Sequence, residues 1–190
     1  MGDNFSYEDQ MHGTIFVLCK RYVESLYDDS TWAKLLKAAG IEHASYQMQE
    51  MYPTSELFSL MAKASERTGI PLHQLLERFG EFLVPDLLLM YKRYLRPEWN
   101  TYDMLLNTVA GMHAAVREKN NRKSPPMLLV TKKGDTQLIV DYHSKRKMAT
   151  FAVGAIKGLA KYYDEDDKVE VTLLTPVEKE RVQIRVDFLS

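Results

Sequence analysis

This sequence of 190 residues contains one cysteine and few long hydrophobic runs, and its formal net charge is only −1. The single cysteine, Cys19, excludes an intramolecular disulfide and a zinc site of the cysteine type, and it fits a reducing compartment. The near-zero net charge gives no overall field that would attract nucleic acid or anionic lipid. The longest apolar stretch is interrupted by Pro85 and Asp86, and it falls short of the ~18 residues that span a bilayer. Because the N-terminus also lacks a signal-peptide pattern, we expect a cytoplasmic protein with no membrane segment.

The composition and the first part of the sequence indicate a compact, mainly helical beginning. Apolar residues make up 45% and charged residues 27%, which is typical of a globular domain. Residues 1–10 are polar and read as an N-terminal extension. Beyond them, apolar residues recur at helical spacing, with capping residues, glycine and proline at the boundaries. The predicted helices run over 14–27, from Asp29 or Ser30 to Gly40, over 56–67 after Thr54, from Pro71 to a break at Pro85, and from Asn100 or Thr101 through Val116.

The spacing of the apolar residues changes after Lys123 from helical to alternating, and this change predicts a sheet. Residues 127–131 and 136–142 flank Lys133-Gly134-Asp135, which is typical of a β-hairpin. A helix is expected from Lys147 to about Tyr163. Two later runs, 169–173 and 182–188, alternate apolar and polar residues as strands with one buried face do. We therefore predict an α+β fold, with a helical N-terminal part followed by a small antiparallel sheet that has helices on one face.

His113 is a candidate metal ligand because it shares the apolar face of its predicted helix with Val109, Ala110 and Val116. A histidine in that position is more often a core residue satisfied by a hydrogen bond. Neutral imidazole is nevertheless a common axial ligand of haem iron. An apolar wall beside it would also suit a porphyrin, whose surface is mostly hydrocarbon.

Tyr142, Ser144 and Arg146 alternate, so an extended backbone would place all three side chains on one face. The guanidinium group of arginine pairs with carboxylates in bidentate fashion, and the two hydroxyl groups add donors. The pattern predicts a receptor for one or two carboxylates. An amphipathic strand end with a surface arginine remains the alternative interpretation.

Pro125-Pro126 follows the His113 helix and stiffens the connection to the first strand. The pair is either a simple helix-to-strand connector or a rigid surface against a cofactor. Because the sequence has no Cys-x-x-Cys-His motif, a haem bound here would have no thioether bonds to the protein.

Taken together, these motifs resemble the haem domain of the H-NOX family, which also occurs in soluble guanylate cyclase. The resemblance covers Met11 to Leu189, starting with Met11-His12-Gly13-x-Ile15-Phe16. Several other residues are of the types that family members often have at the corresponding positions: Trp32, Leu35-Leu36, Ala39-Gly40, Phe79-Gly80, Gly154 and Gly158.

The resemblance implies a single domain over 11–190 that binds haem b without a covalent bond. Its helical half would span about 11–75 and its mixed half about 76–190, with the haem between them. His113 would be the proximal iron ligand. Tyr142, Ser144 and Arg146 would hold the propionates, while Ile15 and Pro126 would contact and distort the haem.

The resemblance also bears on gas selectivity, since bound oxygen needs a hydrogen-bond donor and nitric oxide does not. Oxygen-binding members have a distal tyrosine nine residues after the tyrosine of the motif, and Phe151 stands there in this sequence. Two supporting polar positions match Leu83 and Cys19. We therefore expect an apolar distal pocket that binds nitric oxide and carbon monoxide to ferrous iron and excludes oxygen.

We expect a sensor and not an enzyme, because no strong catalytic constellation or phosphate-binding loop occurs. By family resemblance, nitric oxide would release His113 from the iron and shift the helical half. The signal would pass to a partner in trans, such as a histidine kinase or a cyclic-di-GMP enzyme. No nucleic acid partner is expected.

Two alternatives remain open from the sequence. The first is an oxygen-binding haem sensor, which a stable oxygen complex in air would reveal. The second is a haem-free interaction module of the same fold, in which His113 is a core residue and Arg146 lies at the surface.

Overall fold

A computed structural model describes residues 9–107 and 127–189 and divides the chain into two compact units. The first unit runs to Leu72 and the second begins at His73. Together they contain helices and an antiparallel sheet, which confirms the predicted α+β class.

The first unit combines a two-stranded sheet with three helices. Strand β1 (Gln10–His12) pairs antiparallel with β2 (Met51–Pro53). The helices are α1 (Gly13–Leu26), α2 (Asp29–Ala38) and α3 (Thr54–Thr68). Their apolar stripes form a core that includes Phe16, Leu18, Leu35, Leu57 and Leu60.

Gln10, the last residue of the expected N-terminal extension, is the first residue of β1. The adjacent backbone is paired as well, since the Thr54 amide donates to the Asp9 carbonyl at 2.8 Å. Residues 1–8 lie outside the described part of the chain.

The second unit begins with helices arranged around the predicted proline break. Helix α4 (Leu72–Phe82) ends before α5 (Val84–Met90), and Pro85 stands in the first turn of α5, where its missing N–H is harmless. A 3₁₀ turn (Lys92–Tyr94) follows. Residues 101–107 begin helix α6, with Asn100 as the predicted cap: its Oδ1 accepts from the Asp103 amide at 2.9 Å.

The rest of the second unit is a four-stranded antiparallel sheet with helix α7 (Ala149–Tyr162). The strands are β3 (Met127–Lys132), β4 (Gln137–His143), β5 (Val169–Leu173) and β6 (Arg181–Phe188), in the order β3-β4-β6-β5. Their alternation predicts the buried face correctly: Leu138 pairs with Val186 and Val140 with Ile184, and all four are buried. The predicted hairpin is also present, with Gly134 at φ 80° in its turn.

Candidate haem and gas site

Tyr142 lies on the buried face of β4, where its register places it between Leu128 of β3 and Val182 of β6. His143 is exposed, as the alternation predicts. A tyrosine in this position brings its hydroxyl group to the end of the central strand, next to the turn that leads into α7.

The backbone after Tyr142 differs from the predicted extended path, because β4 ends at His143 and the chain turns over the next residues. The Ser144 hydroxyl oxygen accepts from the Arg146 amide at 3.2 Å, and the Ser144 carbonyl accepts from the Lys147 amide at 3.2 Å. Lys147 then adopts a left-handed conformation with φ 54°. Serine side chains stabilise such turns by competing for backbone amides, so the prediction of an extended backbone through Arg146 is wrong.

The turn still brings the three predicted side chains together. Burial raises the pKa of the Tyr142 hydroxyl, whereas a hydrogen bond with the side chain of Ser144, a bond with the Met148 backbone and the charge of Arg146 lower that pKa. Ser144 is buried and Arg146 is half-buried. One cation and two hydroxyl groups at the end of a strand form a donor set suited to carboxylates, so these residues fit the propionate groups of a haem.

Phe151 is held by the packing of α7 against α4. Its ring lies 5.5 Å from that of Phe79 at an interplanar angle of 62°, an edge-to-face contact. The two helices approach closely because glycines stand at the contact: a Cβ on Gly80 would lie 2.2 Å from the Phe151 carbonyl oxygen. Salt bridges join the same helices, from Lys157 to Glu77 at 2.6 Å and from Lys161 to Glu81 at 2.9 Å.

Leu83 lies in the same unit, between α4 and α5, and is fully buried. Neither Phe151 nor Leu83 carries a hydrogen-bond donor in its side chain. These two positions therefore contribute apolar surface only.

Ile15 and Cys19 are on α1 in the first unit, four residues apart and hence on neighbouring turns of one helix face. Ile15 is half-buried and Cys19 is buried. Burial raises the pKa of the Cys19 thiol to about 12, so this side chain stays neutral near pH 7.

The start of α1 is fixed by the loop before β2. The Gly13 amide donates to the Glu50 carbonyl at 2.8 Å, and a Cβ on Gly13 would lie 1.9 Å from the Gln47 carbonyl oxygen. Phe16 stacks on Tyr46 with ring centroids 4.4 Å apart. These contacts hold the turn that carries Ile15.

A hydrogen-bonded group centred on Glu56 was not predicted from the sequence. Glu56 Oε2 accepts from the Tyr46 hydroxyl at 2.7 Å and lies 2.9 Å from His43 Nε2. Burial and the Glu56 carboxylate both raise the pKa of Tyr46. The sequence offers no signal for this group, since its members come from a loop and a helix with no common period.

Two predicted residues, His113 and Pro126, lie outside the described ranges together with Pro125. In residues 9–107 and 127–189, no group of three or more His, Cys, Asp or Glu side chains could hold a metal ion. None of the helices in these ranges is long and apolar enough to cross a membrane.

The comparisons with known proteins give the family. The family model described as Haem-NO-binding matches residues 12–171, which is most of the chain. The chain belongs to the haem-NO-binding, or H-NOX, family. A search of the curated proteins found no match.

Solved H-NOX structures share the fold. An H-NOX protein from S. oneidensis in the Fe(II)NO ligation state has 20% identity and a TM-score of 0.86, over 95% of this chain and 100% of its own. An Fe(II)CO structure of the H-NOX domain from Shewanella oneidensis gives 20% identity and 0.83, over 95% and 99%. The unliganded Fe(II) H-NOX protein from K. algicida gives 21% and 0.80, over 95% and 97%.

Family membership assigns haem as the cofactor and gas sensing as the general role of this H-NOX chain. H-NOX domains are sensor domains that are not catalytic on their own. The donor set at Tyr142, Ser144 and Arg146 agrees with this cofactor, because haem carries two carboxylate groups on an otherwise apolar ring.

Proposed function

We propose that this H-NOX chain is a nitric oxide sensor in which Tyr142, Ser144 and Arg146 hold the haem propionates and His113 is the proximal ligand. The observation that carries the proposal is the convergence of the three donors at the end of β4, where burial excludes water from Tyr142 and Ser144. Bound haem supplies the ferrous iron that takes up the gas. We further propose that residues 11–190 act as one haem-binding domain in the cytoplasm.

Selectivity for nitric oxide over oxygen would follow from side chains that offer no strong donor on the distal side. The side chains of Phe151 and Leu83 have no donor. The Cys19 thiol is a weak donor, and it stays neutral because burial raises its pKa. Oxygen gains affinity from a donor, whereas nitric oxide and carbon monoxide bind without one. The Fe(II)NO and Fe(II)CO states of the S. oneidensis relative support both gases as ligands.

Signalling would depend on His113, which would hold the haem iron in the resting state and would be released in response to nitric oxide. Ile15 and Pro126 would press on the haem before release, and the helical half would shift when that pressure relaxes. A ligand can shift such an equilibrium only through its different affinity for the two states, and loss of the His113 bond provides that difference. A separate signalling protein, a histidine kinase or a cyclic-di-GMP enzyme, would receive the output.

A His113→Gly variant with added imidazole tests the proximal assignment. We expect the purified variant to lose most of its haem and to regain it, with a spectrum like that of the unmodified protein, when imidazole fills the space. His143→Gly is the matched control, because His143 is exposed at the end of β4. A His113→Gly protein that keeps its haem and its spectrum without imidazole would show that another residue is the ligand.

A further inference from the structure

A basic surface with exposed apolar side chains runs from the end of α5 to the residues before α6. Leu89 is 71% exposed, Met90 41% and Tyr94 42%. Arg93 lies over the Tyr94 ring at 4.7 Å and also donates to its hydroxyl at 2.7 Å, so the pair presents a flat face. We call this set the basic surface: Leu89, Met90, Lys92, Arg93, Tyr94 and Arg96, all exposed.

An acidic surface lies at the end of α7 and in the residues that follow it. Tyr162 is 51% exposed, and Asp164, Asp166 and Asp167 are exposed beside it. The Lys161 side chain next to them is engaged with Glu81 at 2.9 Å. We call Tyr162, Asp164, Asp166 and Asp167 the acidic surface.

The two surfaces adjoin each other within the second unit. Leu95 and Trp99, from the segment that carries the basic surface, share a hydrophobic cluster with Tyr163, which comes between Tyr162 and Asp164 of the acidic surface. The Thr101 amide also donates to Glu165 Oε2 at 2.9 Å, which ties the two segments together. The inward residues of both segments are therefore packed against one hydrophobic cluster within the second unit.

The charges on these surfaces form no salt bridge with a residue in the described part of the chain, although Asp166 joins Glu81, the main cause, in raising the pKa of the nearby Lys161 ammonium group. Three cations, Lys92, Arg93 and Arg96, face solvent, and none forms a salt bridge with a described residue. The same holds for Asp164, Asp166 and Asp167. Glu98 in the first segment and Lys161 and Lys168 in the second are exposed as well, so the basic surface keeps an excess of positive charge and the acidic surface an excess of negative charge. Each surface also carries exposed aromatic or aliphatic side chains.

We propose that these surfaces join two copies of this chain in a symmetric dimer, with the basic surface of each copy against the acidic surface of the other. In a dimer with a two-fold axis, the basic surface of each copy contacts the acidic surface of the other. Both surfaces of both copies are then occupied, so no further copy is added. Charges of opposite sign then match across both contacts, and exposed Leu89, Tyr94 and Tyr162 are removed from water. A second copy suits this pair of surfaces better than a membrane, because an anionic bilayer would repel the acidic half.

The interface is small, since about ten residues a side is below the ~20–30 of a stable complex. We therefore expect a weak dimer that forms as the protein concentration rises through the range of about 1 μM to about 1 mM, which corresponds to weak association. Its stability should fall at about 1 M salt, where the Debye length is only ~3 Å.

Charge reversal with complementary rescue tests the proposal by sedimentation velocity on the haem-loaded full chain. Lys92→Glu/Arg93→Glu and Asp166→Lys/Asp167→Lys should each raise the dimer dissociation constant about tenfold or more, because both contacts of the homodimer become repulsive. Mixing the two variants should restore the dimer, since every reversed charge then meets its opposite. Lys37→Glu/Lys133→Glu, which reverses two exposed lysines elsewhere, is the control and should leave the dissociation constant within about twofold.

Four results would overturn the proposal. The protein could stay monomeric throughout the concentration range, or its dimer could survive both reversals. The reversals could also abolish the dimer without rescue on mixing, which would mean that the two surfaces do not face each other. Finally, the basic surface could bind phosphatidylserine vesicles, with loss in Lys92→Glu/Arg93→Glu and no dimer, which would make it a membrane contact. None of these tests depends on the proposed gas selectivity.

Discussion

Replacing Gly154 by alanine should destabilise the packing of α4 on α7 that supports Phe151. A Cβ at this position would lie 1.8 Å from the Glu77 carbonyl oxygen and 2.7 Å from its carbon. Because real Cβ atoms essentially never come within 3.0 Å of another heavy atom, the two helices would have to separate by about 1 Å. Both contacting groups belong to the backbone, so no side chain can rotate away.

The expected magnitude follows from two opposing effects. Alanine is favoured over glycine in a helix by about 0.8–1.0 kcal/mol. Overpacking a well-packed contact costs about 1–3 kcal/mol, and a backbone clash belongs at the upper end. The net loss should be about 1–2 kcal/mol, which lowers Tm by roughly 2–8 °C in a chain of this size.

Thermal unfolding of the haem-loaded protein, followed by circular dichroism, measures this effect. Gly158→Ala is the matched comparison on the same helix, because its Cβ would lie 2.7 Å from the Glu81 carbonyl oxygen and from the more adaptable Val84 side chain. We expect a smaller loss for Gly158→Ala than for Gly154→Ala. A Gly154→Ala protein as stable as the unmodified one, or more stable, would refute the close approach of the helices.

Three further predictions concern the site. Phe151→Tyr should raise the oxygen affinity of the ferrous protein by roughly tenfold to hundredfold, because a donor to a charged acceptor contributes about 1.5–3 kcal/mol; an unchanged affinity in oxygen titrations would mean that position 151 does not face the gas. Arg146→Ala should speed haem transfer to apomyoglobin by roughly tenfold or more through loss of a charge-assisted bond, while exposed Lys145→Ala should not. Burial raises the pKa of the Cys19 thiol from 9.0 to about 12. Above pH 9 the thiol ionises in the unfolded chain but not in the folded one, so the free energy of unfolding is unaffected below pH 9 and falls as the pH rises toward 12. Between pH 9 and pH 11, urea unfolding should show the unmodified protein losing about 1.4 kcal/mol per pH unit relative to Cys19→Ala, and a constant difference between them would contradict the burial of this thiol.

Regular spacing made most of the fold predictable from the sequence. The strands β4 and β6 bury every second residue, and Gly134 allows the turn between β3 and β4, so pattern and turn chemistry agree. Strands β1 and β2 were missed because three residues are too few to show alternation. Their pairing depends on contacts between residues about forty positions apart.

Helix boundaries were less predictable than helix positions. Thr54 was expected to cap α3 ahead of Glu56, but it is the first helical residue, and Pro53 takes the capping position. Helix α7 starts at Ala149 and not at Lys147, because the left-handed conformation of Lys147 ends the preceding turn. Neither helix has a side-chain hydrogen bond at its N-cap, so the local backbone conformation sets these boundaries, and it leaves little trace in periodicity.

At the candidate site, the residue types predicted the binding chemistry, but the sequence did not predict the path of the backbone. The residue types of Tyr142, Ser144 and Arg146 predicted a carboxylate receptor, and the structure brings these residues together. The backbone was predicted incorrectly because the Ser144 hydroxyl accepts from the Arg146 amide and bends the chain. The Met148 backbone joins Tyr142 only as a result of that bend.

The most direct test of the proposed function is the visible absorption spectrum of the reduced protein under argon, then in air, then with nitric oxide. We expect a five-coordinate ferrous spectrum that air leaves unchanged and that nitric oxide converts to another five-coordinate form, as His113 release requires. A stable oxygen spectrum in air would contradict the apolar distal side and favour an oxygen sensor. A six-coordinate spectrum with nitric oxide would contradict the release of His113.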